Sequence, residues 1–379
     1  MLLTKNYTLS KYLGKVLFMK KKISVIFILP DLETGGAERI VTTIANHLSR
    51  DRFEPKILLL RKQGGYLGIV KKDVEIIDIN TERIRHSLKP ILKEIYRRKP
   101  DIVFSGFGEV NAYLSLFIKL FPKVKFIARE TNVVSKHVTK KEIKFFYNFY
   151  NNYQQIIAQS NDMMDDLIDS FKINPSKIIK INNPVDFDFI DEKLRISHKP
   201  ESFKYNYKNV VAIGNLSSRK GFDNLLKVFS RLKNEKILLH ILGDGKDREI
   251  LHQMKEFLGL KNVVFHGKQE NPYEYLKYAD LFILSSRYEG FPNVLLEAGA
   301  CGTYSLANNC PGGINEIIQH NTNGEIADIE NHEDFSQKIM HILHQTHNQD
   351  AIKNSIKARF SKDIILDKYE KVLLDLVNK

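Results

Sequence analysis

Short apolar runs rich in β-branched residues alternate with helix-length stretches along almost the whole chain. The first half offers Ile23–Leu29, Lys56–Leu60, Val74–Asp78, Asp101–Phe104, Val124–Ala128, Gln155–Ala158 and Ile178–Ile181 as strands. The second half offers Val210–Ile213, Ile237–Leu242, Val263–Phe265, Asp280–Ser285 and Thr303–Leu306. Between them, Ala37–Leu48, Gly221–Leu232 and Lys246–Leu258 have the length and spacing of helices. Strands that are apolar at nearly every position are buried on both faces, which implies parallel sheets built from right-handed βαβ units. The pattern occurs twice and pauses over the polar stretch Asp186–Lys208, which reads as a linker. The expected fold class is therefore α/β: two Rossmann-like domains with a cleft between the carboxyl ends of their strands.

The 379 residues suit two domains of ordinary size. The apolar runs fall well short of the roughly 20 residues that span a bilayer. Cys301 and Cys310 have no CxxC spacing, which speaks against a disulfide scaffold or a cysteine zinc site. Residues 1–18 lack a long apolar segment and a small-residue cleavage site, and Met19 followed by three lysines and a strand resembles a natural start. The expected division is an upstream extension at 1–18, a first domain at 19–188, a linker at 189–207 and a second domain at 208–360. A C-terminal helix at 361–379 is expected to pack back toward the first domain.

Charge divides the halves. Residues 1–190 carry 32 Lys and Arg against 20 Asp and Glu, a net of +12, whereas residues 191–379 carry 26 against 25. A basic half implies an anionic partner. The excess concentrates in Arg83–Lys99 and in Lys136–Tyr153, where lysines adjoin Phe145, Phe146, Tyr147, Phe149, Tyr150 and Tyr153. Cations beside aromatics suit an anionic membrane surface or a lipid phosphate, and solvated helix faces over core aromatics are the plainer alternative. No nucleic-acid-binding motif accompanies the charge, so nucleic acid is not expected as a partner.

Three loops carry candidate chemistry. Gly35-Gly36-Ala37-Glu38-Arg39 follows the first strand and opens a helix, where glycines admit a close ligand and free N–H groups favour an anion. Gly214–Gly221 follows the first strand of the second domain and supplies Arg219 and Lys220 before a helix, the parts of a diphosphate site without P-loop spacing. Glu289-Gly290-Phe291-Pro292-Asn293-Val294 links a strand to a helix that bears Glu297. Carboxylates on either side of a helix N-terminus fit a sugar–diphosphate–nucleoside: hydroxyls meet the carboxylates and phosphate meets the N–H groups. Asp186-Phe187-Asp188 has a metal-binding spacing but lies in the linker stretch, so no metal site is expected.

The run Glu289–Glu297, with Glu-Ala-x-Ala-x-Gly from Glu297 to Gly302, resembles the E-x7-E signature of family-4, or group 1, glycosyltransferases. Gly35–Arg39, Asn183–Asp186, Arg219–Gly221, Gly243–Gly245 and Pro311–Glu316 match in the same order, and the resemblance spans residues 19–379. It implies the GT-B architecture and metal-independent transfer from a nucleotide sugar with retention. It also implies that Glu289 meets the donor sugar, Glu297 the ribose, and Arg219 with Lys220 the leaving diphosphate. Backbone at Gly290, Phe291, Asn293 and Val294 would hold sugar and phosphate, with Gly35 and Gly36 closing the cleft. Where the family often has a histidine near the reacting sugar, this chain reads Ala128-Arg129-Glu130-Thr131-Asn132, which makes Arg129 and Glu130 candidates. His266 is a candidate for the nucleobase or a structural histidine.

The expected function is therefore retaining transfer of a hexosyl or N-acetylhexosaminyl group from a nucleotide sugar, UDP-linked in preference to GDP-linked, without a separate cofactor. A lipid-linked glycan is the expected acceptor, in cell-surface polysaccharide assembly on the cytoplasmic face of the membrane. A sugar-nucleotide epimerase of similar shape and a non-catalytic nucleotide- or polyanion-binding protein are the alternatives.

Overall fold

The computed structural model describes residues 21–33 and 35–378; the stretch 1–18 lies outside the described residues. A first parallel sheet contains β1 (Ile23–Leu29), β2 (Phe53–Leu59), β3 (Glu75–Asp78), β4 (Ile102–Ser105), β5 (Lys125–Arg129), β6 (Gln155–Ala158) and β7 (Ile178–Lys180). Its order is β3-β2-β1-β4-β5-β6-β7. The second contains β8 (Lys208–Ile213), β9 (Ile237–Leu242), β10 (Val263–Gly267), β11 (Leu281–Leu284), β12 (Ser305–Asn308) and β13 (Gly324–Ala327), in the order β10-β9-β8-β11-β12-β13. Helices cover both faces of each sheet, so β1 and β9 are buried along almost their whole length.

The strand order reverses between β1 and β4 in one sheet and between β8 and β11 in the other. Loops after these strands diverge to opposite faces and leave a crevice at the carboxyl ends, where doubly wound sheets bind ligands. The Gly35–Arg39, Gly214–Gly221 and Glu289–Val294 segments follow β1, β8 and β11. Topology therefore gathers the three candidate loops.

The stretch between the domains is more structured than its polarity suggests. Asp186 caps a helix, Phe187–Arg195, by accepting from the Phe189 N–H at 3.2 Å, and Ile190 and Leu194 are buried. That helix packs on Pro272–Tyr278 of the second domain, and Phe203 is buried with them. The stretch expected as a linker at 189–207 thus begins within a helix: an N-cap and two apolar side chains one turn apart suffice to fix nine residues against a neighbour. Asp186 and Asp188 both meet the Lys362 ammonium, at 2.9 and 3.3 Å.

The chain crosses between domains a second time near Ser361. Val185 N–H donates to Phe360 O at 2.8 Å and Lys362 N–H to Val185 O at 2.9 Å, so the two crossings are tied side by side. The C-terminal helix Lys362–Asn378 then places Ile365, Tyr369, Leu373 and Leu376 in the core of the first domain.

The second basic stretch divides by orientation. Tyr147, Tyr150 and Tyr153 are in the core of the first domain, while Lys136, Lys140, Lys141 and Lys144 are exposed with Phe145. The aromatics beside these lysines are thus largely structural, with Phe145 the one that projects, 56% exposed.

Candidate active site

Glu289 lies in the loop after β11 and is buried. Its carboxylate accepts from Lys220 Nζ at 2.6 Å, Arg219 Nη1 at 2.7 Å and Ser286 Oγ at 2.6 Å. Burial on its own would raise the pKa of this carboxyl; the adjacent Lys220 and Arg219 charges outweigh burial and hold it at about 2. Arg219 and Lys220 end a short turn that leads to Gly221, whose φ of +65° and contact with the Ser285 carbonyl leave no room for a side chain. Two cations and one carboxylate thus share one buried corner of the cleft.

The helix Asn293–Ala300 follows, with Pro292 at its N-cap position. Glu297 is buried on this helix and forms an ion pair with Arg39, which comes from the first turn of helix Gly36–His47 in the other domain. Arg39 Nη1 also donates to the Tyr273 hydroxyl at 3.0 Å. Burial works against the Arg39 charge, and the Glu297 carboxylate more than offsets it, leaving the guanidinium pKa raised.

The domains meet along this line. Asn293 Nδ2 donates to Gly36 O at 3.4 Å, and a Cβ on Gly36 would press on the Asn293 amide. A Cβ on Gly290 would collide with the Thr131 carbonyl. Val133 N–H donates to Glu289 O at 3.4 Å, and Asn183 Nδ2 donates to Phe291 O at 3.0 Å and Asn293 Oδ1 at 2.8 Å. At the far end, Gly312 N–H donates to Asp162 Oδ2 at 2.7 Å and Lys180 pairs with Glu316 at 2.7 Å.

The structure therefore brings Gly36, Arg219, Lys220, Glu289, Gly290, Asn293 and Glu297 to one cleft. Gly35 lies directly before them at the helix start. Phe291 and Val294 instead turn inward: Phe291 packs edge-on to Phe360 with ring centroids 5.4 Å apart, and Val294 packs against the same core. Only their backbone is placed to serve a ligand.

Arg129 and Glu130 are buried, and neither side chain bonds Glu289 or Glu297. Arg129 Nε donates to the Tyr369 hydroxyl at 3.1 Å and Nη2 to Asn183 Oδ1 at 2.6 Å, so it ties the C-terminal helix to the asparagine that bonds Phe291 and Asn293. Glu130 accepts from the Tyr150 hydroxyl at 2.6 Å and Asn111 at 3.1 Å, and burial raises its pKa. Thr131 and Asn132, not these two, abut Gly290. The His266 ring pairs with His240 at 3.0 Å and lies 5.1 Å from the Tyr275 ring, beside a 440 Å³ cavity against residues 198–202. This larger cavity contains none of the other candidate donor residues. A smaller one of 370 Å³, lined by Asp162, Asp165, Asn309, Cys310, Pro311 and Asn315, adjoins the Glu289 loop through the hydrogen bond from Glu289 N–H to Pro311 O at 2.9 Å.

Arg39, Tyr273 and Asn183 were not assigned roles by sequence reasoning. Arg39 and Asn183 stand within recognised motifs, but only the fold sets them opposite Glu297 and Asn293. Among the described residues no cluster of three or more His, Cys, Asp or Glu is placed to hold a metal, and no helix is long and apolar enough to cross a membrane.

Two parallel-sheet domains with these carboxylates and cations at their switch points define a GT-B glycosyltransferase. Residues 34–189 match the family described as Glycosyltransferase Family 4, and residues 195–359 match Glycosyl transferases group 1. The chain belongs to this family and is a glycosyltransferase. It is 27% identical over 352 residues to the Campylobacter jejuni N-acetylgalactosamine-N,N'-diacetylbacillosaminyl-diphospho-undecaprenol 4-alpha-N-acetylgalactosaminyltransferase, covering 88% of this chain and 93% of that one. The amylovoran biosynthesis glycosyltransferase of Erwinia amylovora is 22% identical, covering 90% and 96%. Among solved structures, a glycosyltransferase of Rickettsia africae superposes with a TM-score of 0.78 at 22% identity over 94% of this chain and 99% of that one. A protein of Anabaena solved with UDP-glucose also gives 0.78, at 18% identity over 93% and 100%.

Proposed function

We propose that this glycosyltransferase moves a sugar from a UDP-linked donor to a lipid-linked glycan, with retention at the anomeric carbon, in the assembly of a cell-surface polysaccharide. The observation that carries the reading is the Glu289–Arg219–Lys220 cluster at the switch point, one helix from Glu297. A nucleotide sugar laid across it would set its hexose at Glu289, its diphosphate at Arg219 and Lys220, and its ribose at Glu297. As the glycosidic bond breaks, negative charge grows on the diphosphate. Fixed cations in a buried corner stabilise that charge more in the transition state than in the bound donor. The same two cations supply the role that a divalent ion has in other transferases, so the reaction is proposed to need no metal.

The likeness to an enzyme named for a diphospho-undecaprenol substrate and to one named for amylovoran synthesis supports the acceptor class, and the Anabaena complex supports UDP. The acceptor is proposed to enter by the cavity beside the Glu289 loop, where Asp162, Asp165, Asn309 and Asn315 offer hydrogen-bonding groups suited to sugar hydroxyls. The exposed lysines around Phe145 are proposed to hold the first domain on the anionic inner face of the membrane.

A thermal-shift screen of nucleoside diphosphates and nucleotide sugars tests the donor. A specific UDP-sugar at 100 times its Kd is expected to stabilise the chain by about 2.7 kcal/mol. Equal shifts from every nucleotide would contradict a defined donor.

A further inference from the structure

We infer that Arg39 is a positioning residue for donor recognition: reaching across the cleft, it sets the Glu297 carboxylate for a ribose hydroxyl and so lets the first domain contribute to reading the nucleotide. The inference rests on the proposed assignment of Glu297 to the ribose. Glu297 is buried on a helix of the second domain, and its ion-pair partner comes from the first. The pair engages Oε1. A carboxylate has about four acceptor sites, so Oε2 retains capacity for a ligand hydroxyl while Oε1 is held.

Arg39 is itself fixed from two sides. Its Nη1 donates to the Tyr273 hydroxyl at 3.0 Å, and it stands in the first turn of the helix that begins at Gly36, whose carbonyl accepts from Asn293. Tyr273 is buried at the start of the helix Pro272–Tyr278. The guanidinium thus spans Tyr273 and Glu297, two second-domain side chains, from a first-domain backbone that already touches the donor helix. A planar fork with several donors can make both contacts at once, whereas an ammonium is a single point. With Arg39 removed, Glu297 keeps its charge but loses the group that fixes its rotamer, and its hydrogen bond to a ribose hydroxyl weakens.

Calorimetry with UDP and with 2′-deoxy-UDP on the full chain tests this, comparing wild type, Arg39→Gln, Arg39→Lys and Glu297→Gln. Wild type is expected to prefer UDP by roughly 10-fold or more, the scale of a charge-assisted hydrogen bond. Arg39→Gln and Glu297→Gln are each expected to erase most of that preference, and Arg39→Lys to restore part of it. In steady state, Arg39→Gln is expected to raise the KM for the donor with kcat largely kept. A role confined to holding the fold would lower stability without moving the UDP to deoxy-UDP ratio.

The outcomes separate the two claims. If wild type discriminates and Glu297→Gln abolishes it but Arg39→Gln does not, the inference about Arg39 is wrong and the ribose assignment stands. Tighter UDP binding by Arg39→Gln would show that Arg39 competes with the ribose, which also overturns the inference. If wild type binds UDP and deoxy-UDP equally, the ribose assignment fails and the inference with it.

Discussion

Glu289 accepts from three donors within 2.7 Å, and those donors explain both its charge and its setting. With its pKa held at about 2, the carboxylate stays ionised at every pH at which an enzyme of this kind would be assayed. In the proposed donor pose it would therefore serve as a fixed acceptor for sugar hydroxyls and not as a proton donor. Glu289→Gln retains shape but loses the charge that the proposed donor pose sets beside the carbon where bonding changes. It is expected to lower kcat by on the order of 10²-fold, the scale seen when one aligned electrostatic contact is removed. Steady-state kinetics with a fixed donor checks this; a variant whose kcat is unchanged while KM rises would place Glu289 away from the reacting sugar.

The same scale shows where sequence reasoning reached its limit. Glu289, Arg219 and Lys220 were legible because each lies in a loop between a strand end and a helix start, where open sheets bind ligands. Arg129 and Glu130 also end a strand, β5, yet they point into packed protein, Arg129 toward Tyr369 and Glu130 toward Tyr150. Which neighbours surround a strand end depends on the C-terminal helix and on the aromatic segment at 147–153, both distant in sequence. Arg39 escaped for the converse reason: its partner lies 258 residues away, and no local spacing links them.

At the scale of elements, apolar runs located β1 to β12 because continuous burial leaves a compositional mark. β13, Gly324–Ala327, escaped because glycine and glutamate at its first two positions break up any continuous apolar run. The helix Phe187–Arg195 escaped because acidic and basic residues obscure its two buried positions. The loop after β11 shows how closely the elements fit across the cleft. Gly290 has no Cβ, and the Thr131 carbonyl occupies the space one would take. Gly290→Ala should force the loop away from the Thr131–Asn132 segment that follows β5. A displacement of about 1 Å at a reacting centre can cost roughly 10²-fold, so kcat/KM is expected to fall on that scale. The melting temperature should change little, since each domain keeps its own core. Kinetics beside a thermal melt decides this: unchanged kcat/KM would mean that the close approach has no part in the reaction.

At the scale of the molecule, two sheets, two crossings tied at Val185 and a C-terminal helix returned to the first domain make one cleft. The first half carries +12 and the second +1. Lys140, Lys141 and Lys144 stand on one exposed segment with Phe145. Reversing the three lysines to Glu should reduce sedimentation with vesicles containing phosphatidylglycerol, because basic residues near an anionic surface contribute about 1 kcal/mol each. Binding by the wild type should weaken with added salt. Equal binding to neutral vesicles would assign the interaction to something other than charge.

The most direct measurement of the central claim is transfer itself. The chain is incubated with an α-linked UDP-sugar in EDTA, with and without a diphosphate-lipid-linked glycan, and the products are followed by mass spectrometry and by NMR of the new anomeric centre. The account predicts one added sugar in α linkage, formed only when the glycan is present, and its loss in Glu289→Gln. Conversion of the donor to an epimer without acceptor, a β-linked product, or activity that appears only when a divalent metal is restored would contradict it.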